Sequence, residues 1–310
     1  MAGLRDRHGL YAGPIVDAHH HLWDLSLGRH PWLRGADDPQ LARNCLPEDY
    51  LGEAAGYDIV ASVHVEANWD PGDPLGEIAW LDQLEKRTGI AARYVGYADL
   101  AASDVEGLLE ELAAHGRVAG IRQILSWHPD PARSAVADRH RMADPAWRRG
   151  LEIMDRLGLS FDMLISPWQA DDALDLARAF PGMKFALNHC GSPFDRSPEG
   201  MARWEAGLKA LARAPNVVLK VSDLVAYDPD WTEASLRDVL LTCLDAFGPG
   251  RCMLASDHPV VTRFASFSQT YETFRTVYAD LGDDDLFGMF AGNAADFYEI
   301  KDISLKKNDR

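Results

Sequence analysis

The stretch Asp17-Ala18-His19-His20-His21 gathers three imidazoles and a carboxyl into five residues. Side chains two apart on an extended strand share a side, so His19 and His21 project together and His20 faces away. Two imidazoles so placed can grip one divalent ion, zinc being a common partner of imidazole nitrogen, or can polarise an electrophile directly. An H-x-H pair alone is as readily structural as chemical. Its weight comes from His189, in Ala186-Leu187-Asn188-His189-Cys190-Gly191, and Asp257, in Leu254-Ala255-Ser256-Asp257-His258-Pro259, each at the end of an apolar run. An isolated Asp close to Pro more often forms a turn. Beside several histidines it completes a coherent set: the histidines polarise an electrophile or acidify a water, and Asp257 takes the proton as general base. Hydrolysis follows from this set more readily than redox chemistry, for which the sequence offers no cofactor motif.

Two cations sit inside otherwise apolar runs, Arg122 in Gly120-Ile121-Arg122-Gln123 and Lys220 in Leu219-Lys220-Val221-Ser222. An unpaired charge there is expensive. Each either pairs with a buried carboxylate or receives a carboxylate or oxyanion of a substrate; the second is expected here, since Arg supplies a bidentate fork. His64 either points into the same site or is a satisfied core histidine. Trp23, Trp32, Trp127 and His128 are candidate substrate walls, with packing as the alternative role.

Groups so far apart in sequence need a scaffold that converges them. Eight short apolar, β-branched runs, 15–21, 59–67, 93–99, 118–126, 160–166, 184–191, 217–224 and 252–259, alternate with stretches of helical period. Each run is nearly continuous in apolar residues, as a parallel strand buried on both faces should be. Helical spacing marks 76–87, where Ile78, Leu81 and Leu84 fall three apart, and then 105–114, 145–157, 171–180, 201–214, 235–247 and 268–281. Eight βα units with right-handed crossovers close into a barrel. A doubly wound sheet seldom needs eight strands and would carry a Gly-rich nucleotide loop after the first. The expectation is therefore an α/β fold, a (β/α)8 TIM barrel, as one domain over residues 1–310. Catalytic groups in such barrels lie at the C-terminal strand ends. Residues 23–50 and 127–144 are too long for ordinary βα loops and are expected to rim the mouth. The polar tail 306–310 is expected to fray.

Lys and Arg number 31 against 48 Asp and Glu, a formal charge of −17, which argues against a nucleic-acid or anionic-membrane surface. A small-molecule substrate is expected, anionic if the pocket is locally positive, with homo-oligomerisation left open. Cys45, Cys190, Cys243 and Cys252 form no C-x-x-C pair, so neither a zinc ribbon nor a redox dithiol is indicated, and reduced, buried thiols are expected. The first eight residues lack the apolar core of a signal peptide, and no run approaches the ~18 apolar residues of a membrane span. The cytoplasm is the expected compartment.

The motifs Asp17-Ala18-His19-His20-His21-Leu22-Trp23-Asp24, His30-Pro31-Trp32-Leu33, Gly120-Ile121-Arg122, Asn188-His189-Cys190-Gly191, Leu219-Lys220-Val221-Ser222 and Ala255-Ser256-Asp257-His258-Pro259-Val260 span nearly the whole chain. Together they resemble the amidohydrolase-related lactonases, the branch that includes L-fuconolactonase, L-rhamnonolactonase and 2-pyrone-4,6-dicarboxylate lactonase. The resemblance implies an amidohydrolase-type barrel that opens the lactone of a sugar acid or carboxylated catabolite by water attack. It implies His19, His21 and His189 around the reacting carbonyl, Asp257 as base and Arg122 on the substrate. Members of the branch differ in their need for metal. Strand 160–166 offers no histidine and strand 118–126 no lysine to carbamylate, so a binuclear centre is not expected. One divalent ion, zinc, on His19, His21, His189 and Asp257 and a metal-free site are the alternatives. Three departures touch the mouth: His258 where relatives often have Trp, Asn188 where Asp often precedes the histidine, and Asp223 where Gly usually follows the Ser. They make His258 a candidate substrate contact and put the sugar-acid substrate in question. Decarboxylation of an aromatic carboxylic acid is the rival enzyme class on the same framework, and a barrel retained only for binding is the non-enzymatic one. Arg122 and the residues around Trp23 favour hydrolysis.

Overall fold

The apolar runs pair in chain order. In the computed structural model, which describes residues 3–301, β1 (Ile15–His20), β2 (Ile59–Val65), β3 (Arg93–Tyr97), β4 (Val118–Ile124), β5 (Ser160–Leu164), β6 (Phe185–Leu187), β7 (Val217–Val221) and β8 (Cys252–Leu254) form one parallel sheet in the order β1 to β8. The tail expected to fray lies outside the described residues. Past β8 the sheet closes on β1 through His21 N–H to His258 O, 2.7 Å, and Asp257 N–H to His19 O, 2.9 Å. The result is the expected (β/α)8 barrel. Every strand is shorter than its apolar run, and among the residues that leave the strands at their C-terminal ends are His21, His189 and Asp257, three of those proposed to do chemistry.

The helices are α1 (Pro47–Glu53), α2 (Pro74–Gln83), α3 (Val105–Ala114), α4 (Pro145–Leu157), α5 (Ala170–Ala179), α6 (Pro198–Leu211), α7 (Glu233–Phe247), α8 (Phe267–Val277), α9 (Asp283–Phe287) and α10 (Asn293–Tyr298). Sharp local signals explain why α4 matches its expected bounds. Asp144 accepts from Ala146 N–H at 2.8 Å, Pro145 opens the first turn, and Gly158 closes the helix at φ 73°. Two pieces were not anticipated: α1, which begins at the end of the long segment 23–50 and runs past it, and α9 and α10 joined by a π-helical turn at Gly288–Gly292. Among the described residues no helix is long and apolar enough to cross a membrane, and all four cysteines are buried and unpaired.

Apolar packing divides into two layers. Leu109, Leu112, Ile121, Trp147, Leu151, Phe161, Leu219 and Leu240 belong to the larger cluster, between sheet and helices. A second cluster of mostly small side chains, Val16, Ala18, Ala61, Val63, Val65, Val95, Ala186, Met253 and Ala255, fills the barrel and is joined by Tyr298 of α10. Strand alternation places Arg122, Asp162 and Lys220 on that same inner side, one layer nearer the mouth.

β1 departs from simple alternation. Val16 pairs with Ala61 and Asp17 with Ser62, but the next partner pair is His20 with His64. Three steps along β1 thus match two along β2, a bulge of the kind that re-aims side chains beside functional sites. Below it Asp17 faces outward, where its carboxylate accepts from Ser256 N–H at 2.9 Å and Tyr50 OH at 2.9 Å. Above it His20 still faces outward, with Nε2 2.9 Å from Ser62 Oγ, and His19 and His21 face in.

Candidate active site

Beyond the last ladder bonds the backbone turns sharply. His189, Cys190, Asp223 and Asp257 take φ of 49°, 53°, 52° and 56°, a left-handed region that costs any residue with a Cβ and is held only where the surroundings demand it. These turns bring the ends of β6, β7 and β8 over the barrel mouth.

Asp257 is where the histidines meet. Its Oδ1 lies 3.4 Å from His19 Nε2, 3.4 Å from His21 Nε2 and 3.9 Å from His189 Nε2, with all four side chains buried. Each ring is held from behind. His21 Nδ1–H donates to Val65 O at 2.7 Å, His189 Nδ1 lies 2.9 Å from Ser222 Oγ, and His19 Nδ1 lies 3.4 Å from Lys220 Nζ. Burial pushes His21 down to about 3 and His189 down to about 4 against the pull of Asp257, and burial with nearby Lys220 holds His19 well below the usual range. The three imidazoles are therefore neutral at physiological pH.

This geometry sets a requirement. With Nδ1 donating, His21 Nε2 carries a lone pair that faces the Asp257 carboxylate, so a proton or a cation belongs between them. His19 Nε2 and Asp257 Oδ1 are buried without a hydrogen-bond partner among the described residues, and the ligand atoms of His19, His189 and Asp257 lie within 4.8 Å of one another. These donors suit one divalent ion, with His21 near enough to join. His19 carries a condition: an ammonium against Nδ1 favours Nε2–H, and that proton must leave before the nitrogen can ligate.

Above the histidines opens a cavity of about 210 Å³ walled by His21, Trp32, Asn68, Arg122, His189, Asp223, Tyr227 and Asp257, with Ile124, Leu164 and Val260 as apolar contacts. Arg122 lies at the wall with its Nε 2.6 Å from Glu66 Oε1 and its Nη2 2.5 Å from Glu66 O. Burial raises both Asp223 and Asp257. The second carboxylate adds to the rise at Asp223, whereas His189, Arg122 and Lys220 oppose it at Asp257. Of the two, Asp257 is the one favoured to carry the negative charge.

The profile of the amidohydrolase family matches residues 16–300. The chain belongs to the amidohydrolase family. It is 34% identical over 293 residues to the Sinorhizobium fredii protein y4mH, covering 92% of this chain and 98% of that one. It is 29% identical over 297 residues to an L-fucono-1,5-lactonase of Burkholderia multivorans, covering 92% and 96%. A crystal structure of a Burkholderia multivorans amidohydrolase with bound zinc superposes with a TM-score of 0.78 at 27% identity, covering 92% and 99%.

The remaining candidates fall elsewhere in this amidohydrolase. Lys220 does not reach the cavity: its Nζ is fully buried 2.5 Å from Asp162 Oδ2, and Asp162 also accepts from Tyr298 OH at 2.9 Å and Asn188 Nδ2 at 3.1 Å. The expected substrate contact is corrected to an internal ion pair that backs His19. His64 is likewise a satisfied core histidine, accepting from Leu22 N–H at 3.2 Å with Nε2 3.2 Å from Glu77 Oε1, on the outward face of β2. Trp23 is buried, donates to Arg43 O at 2.7 Å and packs edge-on at 5.6 Å behind Trp32, which does line the cavity. Trp127 and His128 pack around Trp168, at 6.3 and 5.1 Å, one layer out from the wall. His258 is buried against Cys45 Sγ at 3.6 Å and the Tyr50 ring at 5.5 Å, beneath the site. Sequence reasoning missed Glu66, Ser222 and Asp162 as supports, whereas Asp223, a departure expected to touch the mouth, does line the cavity. Asp162 carried a usable signal, a lone carboxylate inside Phe161-Asp162-Met163-Leu164.

Proposed function

We propose that this amidohydrolase opens a lactone ring by hydrolysis, with Asp257 activating the water. The observation that carries the reading is the place of Asp257 Oδ1, within 3.9 Å of three imidazole nitrogens and on the cavity wall. The similarity to an L-fucono-1,5-lactonase along 92% of the chain supports the same reaction class. A water between Asp257 and a bound carbonyl loses its proton to the carboxylate as its oxygen bonds to carbon. The oxyanion that forms is met by Nη1 of Arg122, which Glu66 leaves free, and by His19 Nε2–H. Collapse breaks the ring C–O bond, and the departing alkoxide takes up the proton that Asp257 received, leaving a hydroxy acid. Neutral histidines serve this cycle because they leave Asp257 the strongest base at the mouth. A divalent ion on His19, His21, His189 and Asp257, zinc by analogy with the zinc-bound relative, would add Lewis-acid polarisation of the carbonyl.

Decarboxylation has less support, because the Arg122 fork that would cradle an aromatic carboxylate is already engaged by Glu66. The test is a panel of sugar-acid and carboxylated lactones followed by pH-stat. Enzyme-dependent release of one acid equivalent per lactone is expected. No release from any lactone, with carbon dioxide evolved from an aromatic carboxylic acid, would overturn the reading.

A further inference from the structure

Resting on the lactonase reading, we propose that Asp223 is a specificity-determining residue: its carboxyl hydrogen-bonds a ring hydroxyl of the substrate and disfavours lactones that bear a carboxylate at that position. Three observations converge on it. Asp223 lines the cavity beside Asp257 yet is only 7% exposed, and its Oδ1 is buried with no hydrogen-bond partner among the described residues. A buried polar oxygen left without a partner is uncommon and calls for a ligand or a water. Its backbone sits at φ 52°, ψ 27°, at the start of the short turn Leu224–Tyr227, where its side chain makes no capping bond. An Asp is thus held in a conformation that suits Gly, and one oxygen of its carboxyl meets Asp257 while Oδ1 is left facing no protein partner among the described residues.

The charge inventory of the wall names the substrate class. Arg122 is the cation that lines the cavity, and Glu66 occupies it. Lys220, the other expected anion receptor, is neutralised by Asp162 below the site. Against these stand Asp223 and Asp257, so the wall's own side chains carry no surplus positive charge whichever carboxyl holds a proton, and any ion on the histidines is spent on the reacting carbonyl. Such a site suits an uncharged, hydroxyl-rich lactone and opposes a dicarboxylate, contrary to the anionic substrate expected from Arg122 and Lys220 in the sequence.

The experiment compares L-fucono-1,5-lactone, δ-valerolactone with the same ring size and no hydroxyls, and 2-pyrone-4,6-dicarboxylate. In Asp223→Gly the ratio of kcat/KM for the hydroxylated over the bare lactone should fall about ten- to hundred-fold, chiefly through KM, the range for losing a hydrogen bond to a carboxyl. Asp223→Asn should retain most of the preference. The fold is expected to survive, since Gly and Asn both tolerate this backbone. Calorimetry of L-fucono-1,5-lactone binding in Asp257→Asn protein, with and without Asp223→Gly, gives a readout independent of turnover, with about tenfold weaker binding expected. An unchanged ratio, equal binding, no detectable binding, or a wild-type preference for the dicarboxylate would overturn the proposal. Turnover that survives in Asp257→Asn would instead overturn the base assignment and leave the Asp223 comparison readable.

Discussion

Single buried charges fix the floor of the site. Lys220 and Asp162 are both fully buried and meet at 2.5 Å, so removing one partner strands the other. Asp162→Ala is expected to destabilise the protein by about 3–5 kcal/mol, whereas Asp162→Leu with Lys220→Met should recover most of that loss. Urea unfolding of the two variants checks this; a single variant costing under about 1 kcal/mol would show that the pair is not a structural bridge. The sequence showed that Arg122 and Lys220 needed partners. It did not show which carboxylates they take, because Glu66 and Asp162 lie on other strands and meet them only after the barrel closes. His189 and Asp257 were legible because each ends an apolar run, whereas the support role of Ser222, one residue past β7, had no signal of its own, and Asp223 stood out only against the Gly usual in the resembled family.

At the scale of elements, apolar runs and turn residues made the eight strands and most helices readable, α3 and α4 to the residue. The bulge in β1 was not readable, since hydrophobic alternation says nothing about where an extra residue enters a ladder. Neither were α9 and α10, short pieces joined by a π turn with no sustained helical period. Close strand contact sets a second constraint. A Cβ on Gly120 would lie 2.6 Å from Ser160 O of the neighbouring β5, and Arg122 is two residues along the same strand. Gly120→Ala is expected to cost about 1–3 kcal/mol through overpacking and to lower activity by moving Arg122. Thermal unfolding and kcat/KM measured together test this; a variant unchanged in both would contradict the close packing. At the start of α4, Asp144→Ala should cost about 1 kcal/mol by removing the cap on Ala146 N–H, and full retention of the unfolding midpoint would argue against that cap.

The whole molecule holds an unusual store of neutral histidine. Apart from the three at the cavity, burial pushes His258 down to about 3 and His30 down to about 4, and holds His20 and His64 well below the usual range. Between pH 6.5 and 4 the unfolded chain takes up protons that these rings refuse, so stability falls as the pH is lowered through that window. Buried carboxyls act in the opposite sense. Asp17, raised to about 6, and Glu77, raised to about 7, mainly by burial, hold protons that the unfolded chain releases. Glu66, Asp223 and Asp257 are raised by burial as well, and the seven depressed histidines outnumber these five carboxyls and dominate. The thermal midpoint should drop steadily from pH 6.5 to 4.5, and a midpoint that is flat or rising on acidification would contradict the neutral assignment.

The central claim is that Asp257 is the base of a lactone-opening site, and the most direct measurement is pH-stat hydrolysis of L-fucono-1,5-lactone and related lactones by wild type and Asp257→Asn, with circular dichroism on both. The account predicts enzyme-dependent acid release by wild type and a loss of about 10²–10⁴-fold in kcat for the variant, with an unchanged spectrum. Comparable hydrolysis by the folded variant would contradict it.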